Sequence, residues 1–339
     1  MNKHNQWEIT PCPLDGVSSL QFSPFTSMHL AITSWDRTLK LFDITSIISD
    51  NNTISDQDRI LFSFEHKAPV LDCCFSSEVH LYSGGLDRRV RKFDLFASTV
   101  SVLGIHDDAV KSVLFNRNLN SLITGSWDKT IRQWDFRLKN ASLSVYKQPQ
   151  KIFSMDSINY KLVVAMANRI VYIYDLRNMN EPMQQRESSL KFMTRVVKCI
   201  PNEQGYVTSS IEGRISVEFF DPSPESQAKK YAFKCHRQNL DGIDNVYPVN
   251  ALAFHPIYGT FISGGGDGVV ALWDGVAKKR LRQYPKYPAA ISSLAFSNDG
   301  KFMAIGTSCD YESIDQKANL YNKVFVREVL EGECKGKVV

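Results

Sequence analysis

Ser121–Asp135 reads SLITGSWDKTIRQWD. Ser121, Leu122, Ile123 and Thr124 form a β-prone run. Gly125-Ser126-Trp127-Asp128-Lys129 supplies a turn, and Thr130–Trp134 alternates apolar and polar side chains. The stretch therefore predicts two strands joined by a tight turn and closed by Trp134-Asp135. The same unit recurs as SWDRTLKLFD (Ser34–Asp43), GLDRRVRKFD (Gly85–Asp94) and GGDGVVALWD (Gly265–Asp274). Weaker copies are ANRIVYIYD (Ala167–Asp175) and IEGRISVEFFD (Ile211–Asp221).

The spacing of the copies gives the architecture. The closing residues are Asp43, Asp94, Asp135, Asp175, Asp221 and Asp274, in steps of 51, 41, 40, 46 and 53. A period near ~40–45 residues with a Trp-Asp ending marks a four-stranded propeller blade. Seven such blades need about 280–315 residues, and the chain has 339. We expect an all-β fold, a seven-bladed WD-repeat β-propeller over 1–330, with a short flexible tail at 331–339. A propeller must hide its first and last strand edges. The N-terminal strand, Trp7–Thr10, is expected to complete the last blade by pairing with Val324–Arg327.

In chain order, the first blade starts at Val17 and carries a polar surface loop at Ser46–Asp58. The others start near Pro69, Val110, Ile152, Phe192, Val249 and Ile291. The fourth has Asn168 where other turns have Asp, and Asp310–Tyr321 interrupts the seventh as a loop.

Composition narrows the function. Apolar residues make up 43% and charged residues 22%, and no apolar run approaches the ~18–20 residues of a membrane span. MNKHNQWEIT lacks the apolar core of a signal peptide, which points to the cytosol or nucleus. Seven cysteines at irregular spacing (Cys12, Cys73, Cys74, Cys199, Cys235, Cys309 and Cys334) read as thiols in a reducing compartment, not as a disulfide framework or zinc site. Asn51-Asn52-Thr53 and Asn140-Ala141-Ser142 then match the glycosylation pattern by chance. A net charge of +4 neither demands nor excludes nucleic acid.

The candidate chemistry is recognition. In the third blade His106, Thr124, Asp128 and Trp134 can form one hydrogen-bonded chain, since Trp only donates, ionised Asp only accepts and His does both. Their recurrence blade by blade makes them structural, not a catalytic triad. Gly264–Gly268 lacks the Gly-Lys-Ser/Thr and helix of a phosphate loop. No catalytic or metal-ligand constellation is present, so we expect no enzyme, no cofactor and no metal, with function on loops and channel rims. Trp35 and Trp127 sit in turns, where an indole is expected to pack or bind. Arg186, Lys191, Arg195, Arg214, Lys229, Lys230, Lys234 and Arg237 concentrate charge in the fifth blade, and the Arg fork suits carboxylate or phosphate.

RESSLKFMTR (Arg186–Arg195), QGYVTSSIEGR (Gln204–Arg214), DPSPESQAKKYAFKCHR (Asp221–Arg237) and YPVNALAFHP (Tyr247–Pro256) resemble the spindle-checkpoint WD-repeat proteins of the Bub family. So do SWDRTLKLFD, GLDRRVRKFD, DLRNM (Asp175–Met179) and YPAAISSLAFSNDG (Tyr287–Gly300), which extends the likeness over nearly the whole chain. The nuclear-pore mRNA-export propeller is a relative that shares SIEGR and FKCHR. The resemblance implies a monomeric adaptor in the spindle assembly checkpoint, placed in the nucleus, at the kinetochore in mitosis, and in the cytoplasm. It implies binding of GLEBS segments of the checkpoint kinase and its pseudokinase-like partner, membership of the mitotic checkpoint complex, and reading of phosphorylated Met-Glu-Leu-Thr repeats on the kinetochore scaffold. Trp35, Trp127 and Arg195 would contact GLEBS, and Arg214 and Lys229 the phosphothreonine. Neither a membrane nor nucleic acid is expected as a partner. Two alternatives remain: an mRNA-export factor at nuclear pores, and a substrate receptor of a cullin-type ubiquitin ligase, on the WDxR-like Trp134-Asp135-Phe136-Arg137.

Overall fold

The structure is a computed structural model that describes residues 5–49, 59–135, 142–309 and 322–336. The chain is a seven-bladed β-propeller. Strand β1 is Gln6–Glu8. The first blade comprises β2 (Val17–Phe22), β3 (His29–Ser34), β4 (Thr38–Asp43) and β5 (Ile60–Glu65). The second is β6 (Val70–Phe75), β7 (His80–Gly85), β8 (Arg89–Asp94) and β9 (Thr99–Ile105). The third is β10 (Val110–Asn116), β11 (Ser121–Ser126), β12 (Thr130–Asp135) and β13 (Ser142–Lys147). The fourth is β14 (Ile152–Ile158), β15 (Lys161–Met166), β16 (Ile170–Asp175) and β17 (Gln184–Glu187). The fifth is β18 (Thr194–Cys199), β19 (Gly205–Ser210), β20 (Arg214–Phe219) and β21 (Tyr231–Lys234). A separate ribbon, β22 (Arg237–Leu240) and β23 (Ile243–Val246), follows. The sixth blade is β24 (Val249–Phe254), β25 (Phe261–Gly265), β26 (Val270–Asp274) and β27 (Lys279–Gln283). The seventh is β28 (Ala290–Phe296), β29 (Phe302–Ser308) and β30 (Lys323–Glu328), completed by β1.

Two compact units form, 1–71 with 251–339, and 72–250. In the first, β1 pairs antiparallel with β30, Trp7 opposite Val326 and Glu8 opposite Phe325. The Ile9 amide then donates to Val324 O at 2.8 Å. The N-terminal strand thus closes the last blade as expected. Val17, Leu20, Leu30, Phe42 and Val324 pack together in this unit's core. The start of the Ser46–Asp58 loop is a helical turn, α1 (Thr45–Ile48), which drives Ile47 into that core. Residues 50–58 of that loop, and the Asp310–Tyr321 loop, lie outside the described residues.

The segment expected to form a flexible tail is partly packed. The Cys334 side chain is buried and its carbonyl accepts from Thr260 Oγ1 at 2.7 Å. Buried Glu333 takes Arg282 at 2.8 Å and Arg327 at 3.3 Å, and also the Leu330 amide. The apolar Cys334 and the acid between two arginines explain why 331–336 docks.

In the second unit, side chains of β6 and β14 accept amides of the next blade's innermost strand, which would otherwise be orphaned. Asp72 on β6 accepts the Val113 amide at 2.9 Å. Asp156 on β14 accepts the Cys199 amide at 2.7 Å, and Ser154 the Val197 amide at 3.1 Å. The first unit does the same with Ser293 Oγ and the Leu20 amide at 3.0 Å.

Candidate functional site

Six described blade turns share a polar side chain followed by a residue with positive φ. Residues Arg37, Arg88, Lys129, Arg169, Gly213 and Gly268 all have positive φ, and each directly follows the turn Asp, Asn or Glu. A non-glycine there costs about 1 kcal/mol, so the preceding acceptor must hold the turn. In the third blade Asp128 accepts the Thr130 amide at 2.8 Å and its hydroxyl at 2.6 Å. His106 Nδ1 lies 2.8 Å from Asp128 Oδ2, and Nε2 lies 2.9 Å from Thr124 Oγ1. Trp134 Nε1 donates to the same Oγ1 at 2.9 Å. All donors are used when protons run Trp134 to Thr124 to His106 to Asp128, which assigns the proton to Nδ1. Burial works against the Asp128 charge, but the His106 and Thr130 hydrogen bonds outweigh it and hold the carboxyl well below the usual range. The sixth blade repeats part of this: Trp273 Nε1 donates to Ser263 Oγ at 2.8 Å. In the second blade Phe93 replaces the Trp, and buried Arg91 reaches Asp87 at 2.6 Å.

The turn tryptophans are half-buried. Trp127 stands on its turn through its amide, 3.0 Å from Ala109 O. The Lys151 ammonium sits 5.9 Å from its ring centroid, and the indole N–H is buried without an acceptor among the described residues. Trp35 occupies the equivalent turn of the first blade, its amide on Gly16 O at 2.8 Å.

Five innermost strands carry a bulge near their start, at Ser18, Lys111, Phe153, Arg195 and Ser292. A bulge re-aims its side chain out of the ladder. Arg195 is exposed and bonds Asn250 Oδ1 at 3.0 Å. Burial lowers the Lys111 amine from its ordinary pKa; Asp72 opposes that shift and the Arg195 charge adds to it. Lys111 was not among the residues singled out from sequence. Its signal was positional, for VKS and TRV occupy the same place in their blades.

The fifth-blade basic run divides by task. Arg186 is committed to the fold, 3.8 Å from buried Glu218, which also accepts from Tyr206 and Ser189 at 3.0 Å each. Arg237 bonds Glu212 O at 2.9 Å and Asp244 at 3.2 Å, which roots the β22–β23 ribbon against the turn. Arg214 Nε lies 3.4 Å from Glu212 Oε1, an oxygen Arg237 also reaches at 3.6 Å. Gly213 is obligatory here: a Cβ would stand 2.6 Å from Cys235 O and 2.9 Å from Tyr247 O. The register pairs Arg214 with Lys234. Lys229 lies beyond Tyr231, which is opposite Val217, so it is more than ~10 Å along the strands from Arg214. The structure therefore brings Arg214 to Lys234 and separates it from Lys229. Arg137 lies outside the described residues. Among the described residues, no group of three or more His, Cys, Asp or Glu could hold a metal ion, and no helix is long and apolar enough to cross a membrane.

The WD domain, G-beta repeat family matches 9–43, 58–94, 97–135, 233–274 and 278–322. The mitotic checkpoint protein BUB3.1 of Arabidopsis thaliana is 47% identical, over 97% of this chain and 94% of its own. The chain belongs to the Bub3 family of WD-repeat proteins. The poly(A)+ RNA export protein of Schizosaccharomyces pombe is 32% identical over 97% of this chain and 92% of its own, so the Bub3 and export propellers are related. A structure of U3-55K superposes with a TM-score of 0.76 at 15% identity, covering 96% of this chain and 98% of that one, and speaks for the fold alone.

Proposed function

We propose that this Bub3-family propeller is a non-enzymatic adaptor of the spindle assembly checkpoint. It binds GLEBS segments of the checkpoint kinase and its pseudokinase-like partner, and phosphorylated Met-Glu-Leu-Thr repeats of the kinetochore scaffold. In this reading it joins the mitotic checkpoint complex and works in the nucleus, at unattached kinetochores in mitosis and in the cytoplasm. The observation that carries the reading is the fifth-blade turn. Two guanidiniums share the single Glu212 carboxylate while Lys234 faces Arg214, leaving positive charge beside a turn that admits only glycine. A phosphothreonine brings about −1.5 to −2 charge and three acceptor oxygens to such a pair, whereas a hydroxyl brings nothing ionic.

GLEBS recognition rests on Arg195, the exposed cation of its bulge, with Lys111 adding charge at the same position of the third blade, and on Trp35 and Trp127, each in the equivalent turn of its own blade. Titration of the full chain with a GLEBS peptide tests this arm. Trp127→Ala and Arg195→Glu should each weaken binding at least tenfold while the unfolding midpoint holds, and unchanged affinity in both would overturn the assignment. The relation to an RNA export protein supports a second reading, export at nuclear pores. It predicts single-stranded RNA affinity with a steep salt slope.

A further inference from the structure

Every propeller blade ends in an outer strand with one unpaired row of backbone N–H and C=O groups. Proteins guard such edges with charged side chains, proline or short length, because an open edge pairs with other chains. Here β1 has Glu8, β5 has Glu65, β13 has Lys147, β17 has Arg186 and Glu187, β21 has Lys234, and β27 has Lys279, Arg280 and Arg282. Strand β9, TVSVLGI, is seven residues long and has neither charge nor proline. Among the described outer strands it alone carries no guard of its own; at its end the Ile105 carbonyl accepts from Arg132 Nη1 at 2.7 Å, so the open row is the stretch through Val100 and Val102.

Its exposed face is apolar by construction. Leu103 is an extra residue in the pairing with β8: Val102 faces Arg91, while Gly104 faces Val90. This bulge shifts Ile105 onto the face of Val100 and Val102. Those three side chains are 36%, 50% and 49% exposed, for Val100, Val102 and Ile105 respectively. On the opposite face a Gly104 Cβ would strike the Trp134 ring at 2.6 Å, so Gly104 lets the strand lie close against the third blade.

Charge selects the occupant. Ile105 pairs with Arg89, and exposed Arg88 precedes it. Of the acids nearby, Asp87 is held by Arg91 at 2.6 Å and Asp94 by the Phe96 and Ala97 amides at 3.1 and 2.9 Å, while exposed Asp107 lies 4.0 Å from Arg132, which adds a third cation to Arg88 and Arg89 at this end. A strand added outside β9 lies two spacings, ~10 Å, from β8. A glutamate opposite Ile105 on that strand meets the Arg89 guanidinium within the combined reach of the two side chains.

We propose that the free edge of β9 takes up an extended segment of another protein as a fifth strand of the second blade. That segment carries apolar residues at alternate positions and a carboxylate at the end beside Arg88 and Arg89. This is recognition by strand addition, in which backbone bonds supply affinity and alternate side chains supply selectivity. It is independent of the GLEBS and phosphopeptide readings.

The probe is a fluorescent synthetic peptide of about ten residues, with valine and serine alternating and glutamate at each end, titrated into the full chain. Saturable binding is expected, with hydrogen exchange slowed within 99–105. N-methylation of the peptide's alternate amides, in both registers, should weaken binding about fivefold or more in one register. Val102→Lys should do the same without moving the unfolding midpoint, and Arg89→Glu should reverse the preference from glutamate-ended to lysine-ended peptide. No saturable binding, indifference to N-methylation in both registers, or protection confined to other segments would overturn the proposal. So would self-association of the peptide-free chain that Val102→Lys abolishes, since the edge would then serve a second copy. The N-methylated peptides leave the protein unaltered, so a misfolded variant cannot mask the answer.

Discussion

Thr124→Val removes one hydroxyl from the interior of the third blade and leaves its shape. That hydroxyl accepts the Trp134 indole N–H and serves His106 Nε2, both at 2.9 Å, and all three side chains are buried. The valine orphans two buried polar groups at once. Each costs about 1–3 kcal/mol, so the expected loss is ~2–6 kcal/mol. For a chain of this size the unfolding entropy is about 0.7 kcal/mol/K, which converts the loss to a midpoint drop of ~3–9 °C by calorimetry. The partner variant Trp134→Phe makes the second blade's substitution in the third, since Phe93 stands there naturally. In that background no indole N–H remains to be orphaned, so Thr124→Val should cost at least ~1 kcal/mol less than it does alone. A loss under ~0.5 kcal/mol for the single variant, or strict additivity in the cycle, would refute the donor chain. The same chain sets an acid limit. Asp128 has a folded pKa below its unfolded value near ~3.9. Its contribution is therefore complete above about pH 4 and is lost as pH falls further toward the folded value. Asp128→Asn should flatten that part of the stability curve.

His255 gives a second pH window. Its Nδ1 accepts the Ile257 and Tyr258 amides at 3.2 Å each, so a proton there would face two donors, and burial lowers its pKa despite the Gly300 carbonyl on Nε2. With the folded value below the unfolded ~6.5, stability is full above that pH and falls below it; His255→Gln should lose the slope between about pH 6.5 and 5 in urea titrations. Glu333→Ala strands buried Arg327 and frees Arg282, and should destabilise by roughly 3 kcal/mol with faster exchange across 260–284; a neutral effect would show that the 331–336 segment merely rests on the blades. Gly213→Ala forces a Cβ onto two carbonyls at positive φ and should cost more than ~2 kcal/mol, with the ribbon 237–246 losing exchange protection first.

How far sequence alone reaches depends on whether a feature is periodic. Trp134-Asp135 and its copies repeat, so the blades, the turn acceptors and the closing N-terminal strand could be read from spacing and edge logic. The β22–β23 ribbon could not, because it occurs once. Its signals were the 53-residue step from Asp221 to Asp274 and the Asp241-Gly242 pair, whose positive φ angles of 53° and 82° make the tight hairpin turn. The basic run shows the other limit. Charge density along the chain does not distinguish Arg186, spent on buried Glu218, from Arg214 at the surface. Nor does it choose between Lys229 and Lys234. That choice is a matter of strand register, and register depends on where the Asp221–Lys230 connection ends. Cys334 and Glu333 sit in a polar, glycine-containing stretch that reads as a tail, yet tertiary partners far away in sequence hold them.

The most direct test of the adaptor account is a titration of the full chain with Met-Glu-Leu-Thr peptides, phosphorylated and unphosphorylated, against Arg214→Ala, Lys234→Ala and Lys229→Ala. The account predicts saturable binding of the phosphorylated peptide only, lost in Arg214→Ala, weakened about tenfold in Lys234→Ala and nearly unchanged in Lys229→Ala. Equal binding of both peptides, or phosphate-dependent binding that survives Arg214→Ala, would contradict it.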